Sequence, residues 1–129
     1  MSLRRDVVIL ACAVSAGIHA ALVPGHGLPF VAATVLLAVS VLVLTLRPAS
    51  LLALAAAAAV LAGLLGSYAL SVTTGLPFLH PQPEPIDGLA LATKAIEAVG
   101  LAAALVLLPR PKGHLTWIAR TRREPSRSA

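Results

Sequence analysis

Two charged residues, Lys94 and Glu97, stand three positions apart inside an apolar stretch that runs from residue 89 to residue 108. A charged side chain near the centre of a bilayer costs roughly 2.5–3.5 kcal/mol on insertion scales, so such residues usually pair, face a bundle interior or serve a site. Residues three apart on a helix can contact each other directly. The pair is therefore the first candidate for chemistry, whether as an ion pair, a proton carrier or part of a binding site.

Histidine and carboxylate side chains make a transition-metal site a second hypothesis. Imidazole and carboxylate groups are suitable ligands for Zn or Cu, which are the cofactors this hypothesis implies. No tightly spaced ligand motif is present, so the ligands must come together from separate stretches of the chain. The expected metal ligands are His19, His26, Asp87 and Glu97.

Polar residues recur at helical spacing on several of the apolar stretches. Ser15 and His19 are four positions apart, as are Ser67 and Ser71, and residues at this spacing share one face of a helix. Since lipid cannot satisfy polar groups, these faces should turn toward one another in a small bundle. The sequence predicts a buried polar pocket formed by Ser15, Ser67, Tyr68, Ser71 and Lys94.

Three other functions are compatible with the same residues. A proton-coupled transporter, acting as an oligomer, would use Glu97 and Lys94 to exchange protons or to release a substrate. A structural membrane subunit would use them only as a buried pair. A membrane enzyme could combine Ser67 or Ser71 with His19 and Glu97, but no local motif such as Gly-x-Ser-x-Gly supports this, so catalysis is not expected.

The elements that must position these residues are four apolar stretches. The chain has 129 residues, of which 58% are hydrophobic, and its mean hydropathy of +0.92 is typical of a membrane protein. Each stretch is near the roughly 20 residues needed to cross a bilayer. We expect an all-α, multi-pass protein of the inner (plasma) membrane, with one domain at 1–118, spans at about 7–23, 30–46, 51–72 and 89–108, and a basic, disordered tail at 119–129.

The distribution of positive charge predicts the orientation of the bundle. Two Lys or Arg residues precede the first span, one lies in the second connection and six follow the fourth span, whereas the first and third connections contain none. By the positive-inside rule, both termini should be cytoplasmic and the helices should alternate up and down. The net charge of +5 is explained by this topology, so nucleic acid is not an expected partner. The expected partners are the lipid bilayer and either further copies of the chain or other membrane subunits.

Three further features of the sequence bear on the predicted bundle. Cys12 is the one cysteine, which excludes an intrachain disulfide. An alternative for the first span is a signal peptide cleaved near Ala20 or Ala21, which would leave three spans. In the third span, Gly63 and Gly66 should let a neighbouring helix approach closely.

The chain resembles small four-span integral membrane proteins of unassigned function found in actinobacteria. The likeness rests on the segment from His19 to His26 with Pro24 between them, on the run Thr73-Thr74-Gly75-Leu76-Pro77, and on the acidic residue Glu97 in the last span. This resemblance implies the four-span fold and draws attention to His19, His26 and Glu97. We expect a binding or accessory role in the membrane, with metal binding as its most concrete form.

Overall fold

The computed structural model describes residues 3–79 and 81–109, and these form four α-helices. They are α1 (Leu3–His26), α2 (Leu28–Leu46), α3 (Leu51–Thr73) and α4 (Gly88–Leu107). Each helix is long and apolar enough to cross a membrane. The prediction of an all-helical protein with four such segments is confirmed. The predicted tail at 119–129 lies outside the described residues.

The first connection is much shorter than predicted. We expected a turn from Pro24 to Pro29, but α1 continues through Pro24 to His26, and Gly27 alone separates it from α2. Pro24 has no N–H, so the helix loses one hydrogen bond there. The helical bonding resumes beyond Pro24, because Gly27 N donates to Val23 O over 2.9 Å. Gly27 has a φ of 71°, a conformation that favours glycine because it has no Cβ. Pro29 lies in the first turn of α2, where its missing N–H costs nothing.

The other two described connections end at helix caps. The hydroxyl of Ser50 accepts a hydrogen bond from Ala53 N at the start of α3. The carboxylate of Asp87 accepts one from Ala90 N, at 2.7 Å, at the start of α4. These side chains satisfy N–H groups that have no partner within their own helices. The long connection is also tied to α3, because Glu84 N donates to Ser71 O over 2.9 Å.

The helices pack side by side in a closed arrangement. α1 contacts both α2 and α4, and α3 contacts the same two helices. One end of the bundle is filled by buried apolar side chains from all four helices: Val8, Cys12, Leu37, Leu44, Ala53, Leu54, Ala57, Ala58, Leu61 and Ala104. Most of the buried polar side chains, Ser15, His19, Ser71, Thr93 and Glu97, lie in the other half of the bundle.

Two helices approach each other closely at a glycine that was not singled out from the sequence, Gly100. A Cβ at Gly100 of α4 would lie 2.6 Å from the Cβ of Ala11 on α1, which is too close for two carbon atoms. At Gly63 and Gly66, by contrast, a Cβ would meet no heavy atom of the described residues within 4 Å. The prediction that these two glycines admit a neighbouring helix is therefore wrong. Gly63 instead lines an open apolar hollow beside Leu36 and Val60.

Candidate functional site

Glu97 lies at the centre of the polar half and is fully buried. Its two carboxylate oxygens have different partners. Oε1 accepts a hydrogen bond of 2.6 Å from the hydroxyl of Ser15 on α1, and Oε2 accepts one of 2.6 Å from the ammonium group of Lys94, one turn earlier on α4. A buried carboxylate is stable only when it is paired and hydrogen-bonded. Both conditions are met here by one residue from each of two adjacent helices.

His19 extends this network by one residue along α1. Its Nδ1 lies 2.9 Å from the carbonyl oxygen of Ser15. A carbonyl oxygen can only accept, so Nδ1 carries a proton and donates this bond. The same Nδ1 lies 3.3 Å from the hydroxyl oxygen of Ser15, whose own proton is directed to Glu97. The hydrogen bonds therefore run in one direction, from His19 through Ser15 to Glu97.

Lys94 is the charged partner of Glu97 and is largely enclosed. The side chain of Lys94 is 15% exposed, while that of Glu97 has no exposure. The ammonium nitrogen also lies 5.6 Å from the centre of the Tyr68 ring on α3, within range of a cation–π interaction. The hydroxyl of Tyr68 is buried and, among the described residues, has no hydrogen-bond partner.

A cavity of about 440 Å³ lies directly beside this network. Its wall comes from the C-terminal parts of α1 and α3, the N-terminal parts of α2 and α4, and the long connection. Most of the wall is apolar, and its polar groups include the side chains of His19, His26, Ser67, Tyr68, Ser71, Glu84, Asp87, Thr93 and Lys94. Ligand pockets usually have this composition, with apolar walls and a few polar groups that converge on one space.

An aromatic group forms part of the cavity wall near the first connection. The Phe30 ring lies between two imidazoles, with its centre 5.2 Å from that of His19 and 4.4 Å from that of His26. Both contacts are tilted ring packing, and they are possible because Gly27 turns α2 back at once against α1. Phe30 was not predicted from the sequence, although its place three residues after Gly27 was a usable signal.

The four residues expected to bind a metal are not gathered around one point. The carboxylate of Glu97 is already bonded to Ser15 and Lys94, Asp87 caps α4, and the Nδ1 atoms of His19 and His26 face backbone carbonyls. Across residues 3–79 and 81–109, no group of three or more His, Cys, Asp and Glu residues could hold a metal ion. The structure gives no support to the Zn or Cu hypothesis, because these side chains stabilise helix ends and each other.

The expected pocket residues have two different places. Ser67, Tyr68, Ser71 and Lys94 line the cavity, whereas Ser15 is fully buried beneath it. The hydroxyls of Ser67 and Ser71 donate to carbonyls of their own helix. Neither serine is bonded to His19, so the described contacts do not form a nucleophile and base. Thr93, which is buried and lines the cavity, was not predicted.

Comparisons of the chain with protein-family models, with curated proteins and with solved structures found no match. The site is therefore interpreted from its own geometry.

Proposed function

We propose that this chain is an integral membrane protein that binds a small molecule in the cavity beside Lys94 and Glu97. The observation that carries the proposal is the cavity itself, at about 440 Å³, which lies within the usual range for small-molecule sites. An ion pair that served packing alone would be expected in a filled core. Here Lys94 forms part of the wall of an open space, while the filled apolar core lies at the other end of the bundle.

The binding role is tested by filling the cavity. Ser67 is exposed on α3 and lines the cavity, so Ser67→Phe places a ring in this space without disturbing the filled core. Ala69→Phe is the matched control, because Ala69 is exposed on the same helix and does not line the cavity. Small molecules that raise the melting temperature of the purified wild-type protein should no longer do so in Ser67→Phe but should still do so in Ala69→Phe. Equal responses in the two variants would refute the proposal.

The proposed orientation places both termini in the cytoplasm and the cavity at the outer side of the plasma membrane. Support comes from the absence of Lys and Arg in the first and third connections. It also comes from the cavity wall, which combines the C-terminal parts of α1 and α3 with the N-terminal parts of α2 and α4, as an up-down bundle requires. In a Cys12→Ala background, Gln82→Cys should react with a membrane-impermeant maleimide in intact cells. Ala49→Cys should react only after permeabilisation, and the reverse pattern would invert the orientation.

Proton-coupled transport by an oligomer is the second candidate, and one observation favours it. The bonds from His19 through Ser15 connect the cavity wall to the buried carboxylate of Glu97. Such a chain could carry a proton between the cavity and Glu97, as carboxylates and histidines do in membrane pumps and transporters.

This candidate is tested in liposomes that hold a pH gradient and the internal dye pyranine. Addition of guanidinium or tetraethylammonium should discharge the gradient with the wild-type protein and should fail to do so with Glu97→Gln. Discharge at equal rates in both, or in neither, would contradict transport of these cations coupled to Glu97 and leave binding as the function.

A further inference from the structure

Five polar side chains of the cavity wall direct a proton to a backbone carbonyl, and this bears on the ligand of the cavity. The other donors among the described side chains of the wall are the hydroxyl of Tyr68 and the ammonium group of Lys94, which is paired with Glu97. The hydroxyls of Ser67, Ser71 and Thr93 donate to backbone carbonyls of their own helices, over 3.0, 2.9 and 2.8 Å. A hydroxyl whose proton is used in this way still has lone pairs to offer. Three groups that could have been donors therefore present acceptors to the cavity.

The two imidazoles in the wall behave in the same way. Nδ1 of His19 lies 2.9 Å from Ser15 O, and Nδ1 of His26 lies 3.1 Å from Leu22 O. Since both partners are carbonyl oxygens, Nδ1 is the donor in each bond, and Nε2 of an uncharged imidazole is an acceptor. The wall thus gains two further acceptors from α1.

The charged groups beside the cavity also favour a ligand that is a cation. The positive charge of Lys94 is matched by Glu97 at 2.6 Å, so this pair has no net charge. The wall also contains the carboxylate of Asp87, whose Oδ1 accepts from Ala90 N as the cap of α4. Phe30 adds an aromatic ring to the same wall, and aromatic faces attract cations.

From these contacts we infer that the ligand of the cavity is a small organic cation with N–H donors, a protonated amine or a guanidinium, attached to an apolar body. This inference rests on the proposed binding function and specifies its ligand class. The ammonium or guanidinium head donates to the acceptors of the wall, and the carboxylate of Asp87 balances its charge. The apolar body contacts the leucine and phenylalanine side chains that form the rest of the wall. A carboxylate ligand of the same size would find two donors among the described side chains of the wall, the hydroxyl of Tyr68 and the ammonium group of Lys94. The ammonium group is already paired with Glu97, and the carboxylate of Asp87 in the same wall would repel the ligand.

The inference is tested with four probes that share a phenyl group and a short linker: phenethylammonium, phenethyltrimethylammonium, phenylethanol and phenylpropionate. Binding is measured by calorimetry at pH 8, where ordinary imidazoles are neutral, on the full chain in lipid nanodiscs, with empty nanodiscs subtracted. Phenethylammonium should bind at least about tenfold more tightly than phenylethanol and phenylpropionate, since charged hydrogen bonds are the stronger ones. It should also bind more tightly than the trimethylammonium probe, which has the charge but no N–H donors.

Two variants locate the charge. Asp87→Asn keeps the capping side chain of α4 and should weaken phenethylammonium binding by about three- to tenfold through loss of the carboxylate charge. Phenylethanol should bind to this variant unchanged, which also shows that the variant is folded. Asp6→Asn makes the same charge change in the first turn of α1, away from the cavity, and should have no effect on any probe.

The outcomes separate the two proposals. Tighter binding of phenylpropionate or phenylethanol than of phenethylammonium, lost in Ser67→Phe, would overturn the cationic ligand class and leave the binding function standing. Equal binding of all four probes, lost in Ser67→Phe, would also overturn the ligand class. Binding of all probes that is the same in wild type, Ser67→Phe and Ala69→Phe would overturn the binding function together with this inference.

Discussion

The hydroxyl of Ser15 donates to Oε1 of Glu97 over 2.6 Å, which joins α1 to α4 across 82 positions of sequence, in the fully buried part of the bundle. Neither residue could be satisfied by lipid, and each is placed by the helix that carries it. This bond connects the ion pair of α4 to the histidine of α1. The polar half of the protein therefore contains a network that runs from His19 in the cavity wall through Ser15 and Glu97 to Lys94, which also lines the cavity.

Loss of the hydrogen bond from Ser15 to Glu97 should destabilise the protein. Ser15→Ala leaves one oxygen of a buried carboxylate without a partner, so the free energy of unfolding should fall by about 1.5–3 kcal/mol. The measurement is denaturant unfolding in detergent micelles. Ser40→Ala is the matched control, because Ser40 is also buried but donates only to Leu36 O of its own helix. If Ser40→Ala lowered the free energy of unfolding as much as Ser15→Ala, the bond to Glu97 would contribute no more to stability than a bond within one helix.

Removal of one partner of the Lys94–Glu97 ion pair should lower the free energy of unfolding more than removal of both partners. Lys94→Met leaves the carboxylate of Glu97 buried without its cation and should cost about 3 kcal/mol or more of unfolding free energy. The double variant Lys94→Met/Glu97→Leu removes the charge problem and should recover most of this loss. Thermal unfolding of both variants gives the comparison. A double variant less stable than Lys94→Met would mean that the pair itself, and not only its balance, stabilises the fold.

The double variant also separates structure from function. If it folds and still binds the small molecules that bind to the wild type, the pair is structural, and the cavity works without it. If it folds but no longer binds them, the pair takes part in the site. Binding that survives in the double variant but is lost in Ser67→Phe would assign recognition to the other groups of the wall.

Gly100 should not tolerate a side chain. Gly100→Ala places a Cβ 2.6 Å from the Cβ of Ala11 and 3.2 Å from Cδ1 of Leu61. The helices must move apart, at a cost of about 1–3 kcal/mol, as in other overpacked cores. Gly63→Ala is the control, since a Cβ there meets open space, and its unfolding temperature should not decrease. Equal stability of the two variants would contradict the close approach of α1 and α4.

Tyr68→Phe should be tolerated or should stabilise the protein. The Tyr68 hydroxyl is buried and has no hydrogen-bond partner within the described residues, so its removal relieves a penalty of about 1 kcal/mol. The phenylalanine ring would still contact the ammonium group of Lys94. The melting temperature of the ligand-free protein measures the effect. A clear decrease would indicate that the hydroxyl makes a hydrogen bond in the membrane.

The large apolar side chains on the surface explain why the spans could be predicted without a structure. Leu10, Leu42, Leu52 and Val99, one on each helix, are all more than half exposed. A water-soluble protein would rarely expose so many leucines and valines, whereas lipid is a suitable solvent for them. Because a span needs only length and apolar composition, the sequence predicted all four, with an error of a few residues at the ends of α1. At the C-terminal end of α1, the predicted span ended before Pro24, but a proline near the end of a helix removes only one hydrogen bond, so the helix continues to His26.

The sequence by itself also marked Lys94 and Glu97 as a pair, because spacing along one helix is enough to bring them together. Contacts between residues of different helices could not be predicted from the sequence. The sequence could not show that Ser15 meets Glu97, that Gly100 rather than Gly63 admits a neighbour, or that the expected metal ligands are held apart. These depend on how each helix is rotated about its axis, which is set by the packing of all four together. The tertiary structure alone decided that one half of the bundle is filled with apolar side chains and the other surrounds a cavity.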